Sequence, residues 1–410
     1  MSARDALPVL AGGVRLPGSS EPAWQAPGEL AKLDTPCYVF DAAKVESDYS
    51  DLKRALGTPL LVSLKANPNT DLFVRCANTF VDGIELASQG ELNVVVGRSP
   101  VPKFINTPAL DQTLMKAGIA SRATLILDGS SQVEMLASVS AKAKPLPVML
   151  RLNAAALVGN AAQPGGGDHF GMDVPDAMKA IIRLRAIGVS VRGLHVFAGS
   201  HSFKVWSPLI LTAIERVLPT IEAAAGAPLE LVNVGGGFPE DWRAQPGSFA
   251  DYRRSLSGLS SRVKVYHESG RGVFNGCGHF VTKVIAVKSV NGAQVVVCDG
   301  GIAQCFMLAQ TERVIKRLRR PIVVPIRNGA AAPPGSRGVA VPVTLAPTPV
   351  SGPVRVVGNS CSRADVVGEL DAAVSVRPGD RLIFADCGAY STYSPTGFLN
   401  LKAPTLYLVS

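Results

Sequence analysis

From about residue 36 to residue 275, short apolar and β-branched runs alternate with longer stretches whose apolar positions recur at helical spacing. PLLVSLKA precedes DLFVRCANTF, GIEL precedes QGELNVVVG, KFIN precedes LDQTLMKAG, and TLILD precedes SSQVEMLASV. The alternation continues with PVMLRLN and DAMKAIIRLRAIG, RGLHVFAG and PLILTAIERVLPTIEAAAG, and LELVNVGGG and SFADYRRSLSGL, and it closes on RVKVYHESG. Strands buried on both faces read as continuous apolar runs. Eight of them, nearly all followed by a helical run, predict an α/β fold with a (β/α)8 TIM barrel of parallel strands over residues 36–275.

After residue 276 the texture changes. HFVTKVIAVKSV, AQVVVCD, VAVPVTLAP, PVRVVGN, DRLIFAD and TLYLVS follow one another without long helical runs. This predicts a C-terminal, mostly antiparallel β domain over 276–410, joined by N-terminal residues 1–35, with Arg327 to Gly338 as a loop or hairpin tip.

With 410 residues, 47% of them hydrophobic and 18% charged, the chain suits two globular domains and is too apolar for disorder. A formal charge of +9 leaves nucleic acid, a membrane surface or an anionic cofactor and substrate as candidate partners. The densest basic run, with Arg313, Lys316, Arg317, Arg319 and Arg320, has no interleaved aromatic residues and reads as a solvated face, so no nucleic-acid partner is expected. The seven cysteines are odd in number, widely spaced and without a CxxC pair, which argues against a disulfide framework and a zinc site and for a reducing cytoplasm. No stretch of about 18 apolar residues occurs, and the apolar stretch near the N-terminus is short for a signal peptide, so no membrane partner is expected either.

In such a barrel the site lies at the carboxyl ends of the strands. Lys65 ends the run Leu60 to Leu64 and precedes Ala66-Asn67-Pro68. A lysine there is costly unless its charge is paired or lost, and imine formation with an aldehyde cofactor removes that charge. Gly235-Gly236-Gly237 follows LELVNV and would let backbone N–H groups approach a phosphate. Glu268 and Arg271, at the end of the last strand, offer an acid for a pyridine nitrogen and a cation for a phosphate. Aldehyde, ring nitrogen and phosphate are the three parts of pyridoxal 5'-phosphate that a protein must hold.

Seven ordered segments resemble the diaminopimelate/ornithine decarboxylase family of the alanine-racemase fold. They are Leu64 to Asn69, Glu85 to Leu92, Gly193 to Ser200, the GGGFP segment, Glu268 to Arg271, Gly358 to Cys361 with Asp365, and Asp386 to Tyr390. The resemblance implies that Lys65 carries pyridoxal phosphate as a Schiff base and that Glu268 binds its pyridine nitrogen. It implies that Ser200, Gly235, Gly236, Gly237, Arg271 and Tyr390 hold the phosphate and that Gly270 also lies in the cofactor site. Cys361 is similar to the family cysteine that crosses a head-to-tail homodimer into the partner's site, where it would be the catalytic proton donor. His169 stands where the family has a lysine that pairs with the partner's aspartate, here Asp365.

Departures from the family pattern bear on the substrate. His195 and Phe197 lie two apart on one strand and point the same way. The better-known decarboxylases have a stacking histidine where Phe197 stands. Phe197 offers a flat apolar face but no proton. Together with Ser394 to Leu399 it resembles a branch near secondary-metabolite and exopolysaccharide pathways. After Cys361 the family usually has an acid that reads a distal ammonium; this chain has Ser362 and Arg363. Arg363 either faces solvent or reads the far end of the substrate, which is then neutral or anionic, free or tethered to a carrier protein. The resemblance thus implies decarboxylation of an amino acid or a derivative of one. The rivals are a diamino-acid decarboxylase, a racemase, against which Glu268 counts, and a non-catalytic cofactor carrier, against which the long β domain counts. His201, His267 and His279 share no ligand spacing, and no metal is expected.

Overall fold

The eight apolar runs form eight parallel strands. In chain order, after β1 (Val9–Leu10) and β2 (Cys37–Asp41), they are β3 (Leu60–Ser63), β4 (Ile84–Leu86), β5 (Lys103–Asn106), β6 (Thr124–Leu127), β7 (Val148–Leu152), β8 (Val191–Val196), β9 (Leu231–Asn233) and β10 (Lys264–Ser269). They close into a barrel in the order β10-β3-β4-β5-β6-β7-β8-β9, as predicted. The computed structural model describes residues 9–10, 23–140, 147–159, 169–204, 206–308, 318–326, 353–392 and 398–409.

The chain turns from strand to helix on polar caps. Asn69, Ser88, Asp111, Asn153 and Asp173 each accept a hydrogen bond from a backbone N–H in the first turn of the helix that follows, satisfying a donor the helix itself cannot.

Within the barrel, side chains alternate in and out, so residues two apart share a face. Leu61, Phe104, Ile126, Met149 and Leu231, with Tyr266 against them, cluster as an apolar plug. Gly83 and Gly193 complete that level because their neighbours leave no room. A Cβ at Gly83 would meet Leu61 and Phe104, and one at Gly193 would stand 2.3 Å from the Leu231 carbonyl oxygen. Two residues further along each strand path the inward position is polar: Ser63, Glu85, Asn106, Asp128, Arg151, His195, Asn233 and Glu268. The plug closes the barrel below, and the polar layer lies at the end where strands give way to helices.

The described residues divide into two compact units, one within Ala43–Asn275 and the other within Met1–Ala42 and Gly276–Ser410. The second holds a nine-stranded sheet with β1, β2, β11 (Gly278–Val290), β12 (Ala293–Cys298), β13 (Ile322–Val324), β14 (Val354–Val357), β15 (Val366–Leu370), β16 (Arg381–Phe384) and β17 (Thr405–Val409). Five of its pairings are antiparallel, all but β14–β15 through the long β11 or its neighbour β16, and β1–β17, β2–β17 and β12–β14 are parallel.

The expected barrel start at residue 36 needs correction. Strand β2 is hydrogen-bonded between β17 and β11, so residues 37–41 belong to the sheet. Strands β13 and β15 were not expected. The expected strand VAVPVTLAP, the loop Arg327 to Gly338, basic residues Arg313 to Arg317, and Ser394 to Gly397 lie outside the described residues. Arg320 is exposed and pairs with Glu369 and Asp371, as a solvated face would. Among the described residues no helix is long and apolar enough to cross a membrane.

Candidate active site

Lys65 sits in the single helical turn Leu64–Ala66 that ends β3. Its Nζ lies 3.0 and 3.1 Å from the two oxygens of Glu85, which is wholly buried on β4. An ammonium at the edge of a barrel interior is thereby paired rather than stranded.

Across the layer, Glu268 is buried and its Oε1 has two neighbours. The Asn233 amide donates to it at 2.7 Å, and His195 Nε2 lies 3.3 Å away. The Asn233 orientation is fixed, because its Oδ1 accepts the Gly235 N–H at 2.9 Å and its Nδ2 is therefore left for Glu268. Burial alone would raise the Glu268 pKa. The charge and hydrogen bond of His195, the charge of Lys65 and the Asn233 amide outweigh it and hold the carboxyl at about 2, so it is ionised. Oε2 has no hydrogen-bond partner among the described residues.

The layer continues from His195 to Asn106, whose Nδ2 lies 3.2 Å from Nε2, and on to Arg151, whose Nη1 reaches Asn106 Oδ1 at 3.4 Å. Arg151 is itself held by Asp128 at 3.3 Å and by the Phe170 ring, 4.3 Å beneath its guanidinium. His195 Nδ1 is buried without a partner.

Glycines 235–237 form the turn beyond β9. Gly235 and Gly237 have φ of 69° and 91°, a region other residues rarely enter. A Cβ at Gly236 would stand 2.4 Å from the Glu268 carbonyl oxygen, and one at Gly237 would stand 2.4 Å from Ser202 Oγ. Ser202 Oγ is buried and unpartnered, whereas the predicted Ser200 is exposed in the same turn. Gly270 and Arg271 open a short helix at the end of β10. Phe197 is half-buried and packs near Gly235.

The structure thus brings together Lys65, His195, Phe197, Glu268 and the glycine turn within one unit, while Cys361, Ser362, Arg363 and Tyr390 belong to the other. Cys361 and Arg363 are exposed, and Ser362 is half-buried. Tyr390 has a left-handed backbone, with φ of 57°. Asp365 is buried, and its oxygens accept the N–H groups of Ile302 and Ser360 at 2.9 Å each. Within its own unit the Asp365 carboxylate is thus held by local backbone. His267 is a satisfied core residue between Thr58 and Tyr252. Sequence reasoning did not single out Asn106, Arg151, Ser202 or Asn233, nor Glu85 as the partner of Lys65.

A closed parallel barrel with a lysine at its carboxyl end, and a mostly antiparallel sheet in a second unit, defines the class of alanine-racemase-fold enzymes. Within that class the chain belongs to the pyridoxal-dependent decarboxylases: the family model described as "Pyridoxal-dependent decarboxylase, C-terminal sheet domain" matches residues 37–388. The protein is therefore a carboxy-lyase that uses pyridoxal phosphate. It is 24% identical over 406 residues to an L-glutamyl-[BtrI acyl-carrier protein] decarboxylase of Niallia circulans, covering 91% of this chain and 88% of that one. It is 23% identical over 391 residues to a lysine/ornithine decarboxylase of Selenomonas ruminantium, covering 92% and 91%. The crystal structure of lysine/ornithine decarboxylase from Vibrio vulnificus with cadaverine superposes with a TM-score of 0.73 at 20% identity, covering 93% and 96%.

The barrel's side chains fit the cofactor. An ionised carboxylate with one unengaged oxygen suits a protonated ring nitrogen, and a turn with no room for Cβ atoms beside an unpartnered hydroxyl suits a phosphate.

Proposed function

We propose that this decarboxylase acts on an amino acid or amino-acid derivative whose far end carries no positive charge, free or tethered to a carrier protein. It does so as a cytoplasmic homodimer with shared sites. The observation that carries the reading is the pair after Cys361. Neutral Ser362 and cationic Arg363 stand where an acid would be needed to read a distal ammonium. The similarity to a decarboxylase named for a glutamyl-carrier-protein substrate supports it.

In this reading Lys65 carries the cofactor, Glu268 serves the ring nitrogen, and Phe197 offers the ring a flat apolar face, with His195 beside Glu268. Ser200, the glycines at 235–237, Arg271 and Tyr390 hold the phosphate, with Gly270 also in the cofactor site. When bound, pyridoxal phosphate supplies a sink for the electrons left behind as CO2 departs. Ionised Glu268 keeps a proton on the ring nitrogen. Glu85 receives the Lys65 ammonium whenever the lysine is free, so no unpaired charge is left in the barrel. Phe197 has no proton to give, and Cys361 of the partner subunit delivers its Sγ proton to the substrate's α-carbon.

The test is CO2 release from a panel of ornithine, lysine, meso-diaminopimelate, glutamate and amide- or acyl-linked derivatives, with the cofactor spectrum followed in parallel. An unpaired buried ammonium costs several kcal/mol, so diamines are expected to have kcat/KM at least about a hundredfold lower than the best non-cationic substrate. Ser362→Asp should narrow that gap. Efficient turnover of ornithine or lysine by the wild type would establish the diamino-acid reading instead.

A further inference from the structure

Nε2 of His195 faces two groups that make opposite demands. It lies 3.2 Å from the Asn106 amide nitrogen, a donor, and 3.3 Å from Glu268 Oε1, an acceptor. One ring nitrogen has one in-plane position, so it either accepts from Asn106 or donates to Glu268. An asparagine is ordinarily free to settle such a conflict by turning its amide over. Asn106 is not free, because its Oδ1 receives Arg151 Nη1 at 3.4 Å and a guanidinium can only donate. Arg151 is in turn pinned by Asp128 and by the face of Phe170. All of these groups are buried or nearly so, in a site where each unmet hydrogen bond is expensive.

Glu268 can be satisfied in two ways: in the cofactor-free chain by a proton at His195 Nε2, whose charge and hydrogen bond hold the carboxyl low, or in the holoenzyme by a proton on the cofactor's ring nitrogen. On the assignment of Glu268 made above, we propose that Arg151 and Asn106 are positioning residues. In the holoenzyme they hold His195 Nε2 in its bare, accepting form, so that the charge of Glu268 is reserved for the ring nitrogen. The proton of the neutral imidazole then lies on Nδ1. Without the Arg151 contact the amide is free to turn, nothing then requires a bare Nε2, and a proton there lets the imidazole compete with the ring nitrogen for the same carboxylate. Neither residue touches the reacting atoms. Their effect reaches the chemistry through His195 and Glu268.

The chain has five histidines, so a holoenzyme labelled with 15N-histidine gives a small set of ring signals, and His195 is identified by its loss in His195→Gln. The wild-type holoenzyme is expected to show a bare, accepting Nε2 and a protonated Nδ1 at this residue. Arg151→Gln and Asn106→Asp should each bring a proton to Nε2, with kcat reduced about tenfold or more and KM changed less than about threefold, as when an interaction made in the transition state is lost. Arg151→Lys keeps a donor and should restore most of kcat and the wild-type signal. Retention of cofactor absorbance in each variant shows that its site is assembled, and if Asn106→Asp fails that check Arg151→Gln carries the test. A protonated Nε2 in the wild-type holoenzyme would overturn the proposal. So would variants whose kcat falls while the His195 signal stays as in wild type, which would mark the two residues as structural only. Loss of cofactor binding by Glu268→Gln alone, with the His195 signals as expected, would leave the positioning role standing. Unchanged cofactor properties in Glu268→Gln would refute the underlying assignment.

Discussion

Gly236→Ala places the sharpest demand on the glycine turn. The added Cβ would stand 2.4 Å from the Glu268 carbonyl oxygen and 3.3 Å from its carbonyl carbon. The first contact is about 1 Å closer than van der Waals separation allows. Neither side can retreat cheaply. The Glu268 N–H donates to the Gly235 carbonyl at 2.9 Å, the Gly235 N–H is held by Asn233, and Glu268 is in register with Leu61 on β3. Overpacking of this kind costs about 1–3 kcal/mol. For a unit of this size each kcal/mol lowers Tm by about 2–4 °C, which gives a fall of roughly 2–12 °C for the cofactor-free chain. The displaced strand end carries Glu268 with it, so affinity for pyridoxal phosphate should fall as well. Thermal unfolding followed by circular dichroism, and titration of the cofactor-free chain with pyridoxal phosphate, measure the two effects. Gly247→Ala is the control, since a Cβ there meets nothing within 4 Å. A Gly236→Ala protein with wild-type Tm and cofactor affinity would refute the reasoning.

Two further outcomes are expected. If each barrel borrows Cys361 from its partner, mixing inactive Lys65→Ala and Cys361→Ala chains restores partial activity; demonstrated heterodimers without activity would mean that each chain completes its own site. His267 gives the pH dependence of stability. Burial moves its pKa from an ordinary 6.5 to about 3, against the upward pull of Glu268. Between those values the unfolded chain binds a proton that the native ring refuses, so stability falls as pH falls, by up to about 1.4 kcal/mol per pH unit. Denaturant midpoints from pH 7 to pH 4 should therefore slope less steeply in His267→Gln, and parallel slopes would exclude His267 as the cause.

All eight barrel strands were legible because each is a continuous apolar run of the kind that only burial on both faces produces. The motifs at their ends marked Lys65, the glycine turn and Glu268. Asn106, Arg151 and Asn233 went unmarked because a lone polar residue at a strand end looks ordinary. A signal was present all the same: Phe104 and Asn106, Met149 and Arg151, and Leu231 and Asn233 stand two apart, so whatever faces the plug is followed by something facing the site. Residues 37–41 fell within the expected barrel range without being read as a strand, and an apolar run such as Cys37 to Phe40 does not itself say which sheet receives it. Strand β15 was missed because Gly368 and Glu369 interrupt its apolar run. Gly368 is needed there, since a Cβ would stand 2.7 Å from the Arg319 carbonyl oxygen.

On the proposed assignment, the ion pairs around the barrel mouth leave Glu268 as the partner for the cofactor's own charge. Lys65 pairs with Glu85 and Arg151 with Asp128, so two cations and two carboxylates are matched. Glu268 is a third carboxylate, with one oxygen engaged by Asn233 and His195 and the other unengaged among the described residues. In the proposed assignment a protonated ring nitrogen would bring a positive charge to that unengaged oxygen, and a hydrogen bond to a charged group is worth about 1.5–3 kcal/mol. A deaza analogue of pyridoxal phosphate, with C–H in place of the ring nitrogen, cannot make that bond. It should therefore bind the cofactor-free wild type roughly 10- to 150-fold more weakly than pyridoxal phosphate does. In Glu268→Gln the carboxylate charge is gone, and the discrimination should shrink to a few-fold. The two ligands and two proteins form a cycle whose coupling isolates the carboxylate–nitrogen term from shape and phosphate binding. Fluorescence titration supplies the four affinities. Equal discrimination by wild type and Glu268→Gln would remove Glu268 from the ring nitrogen, while leaving Lys65 and the family assignment in place.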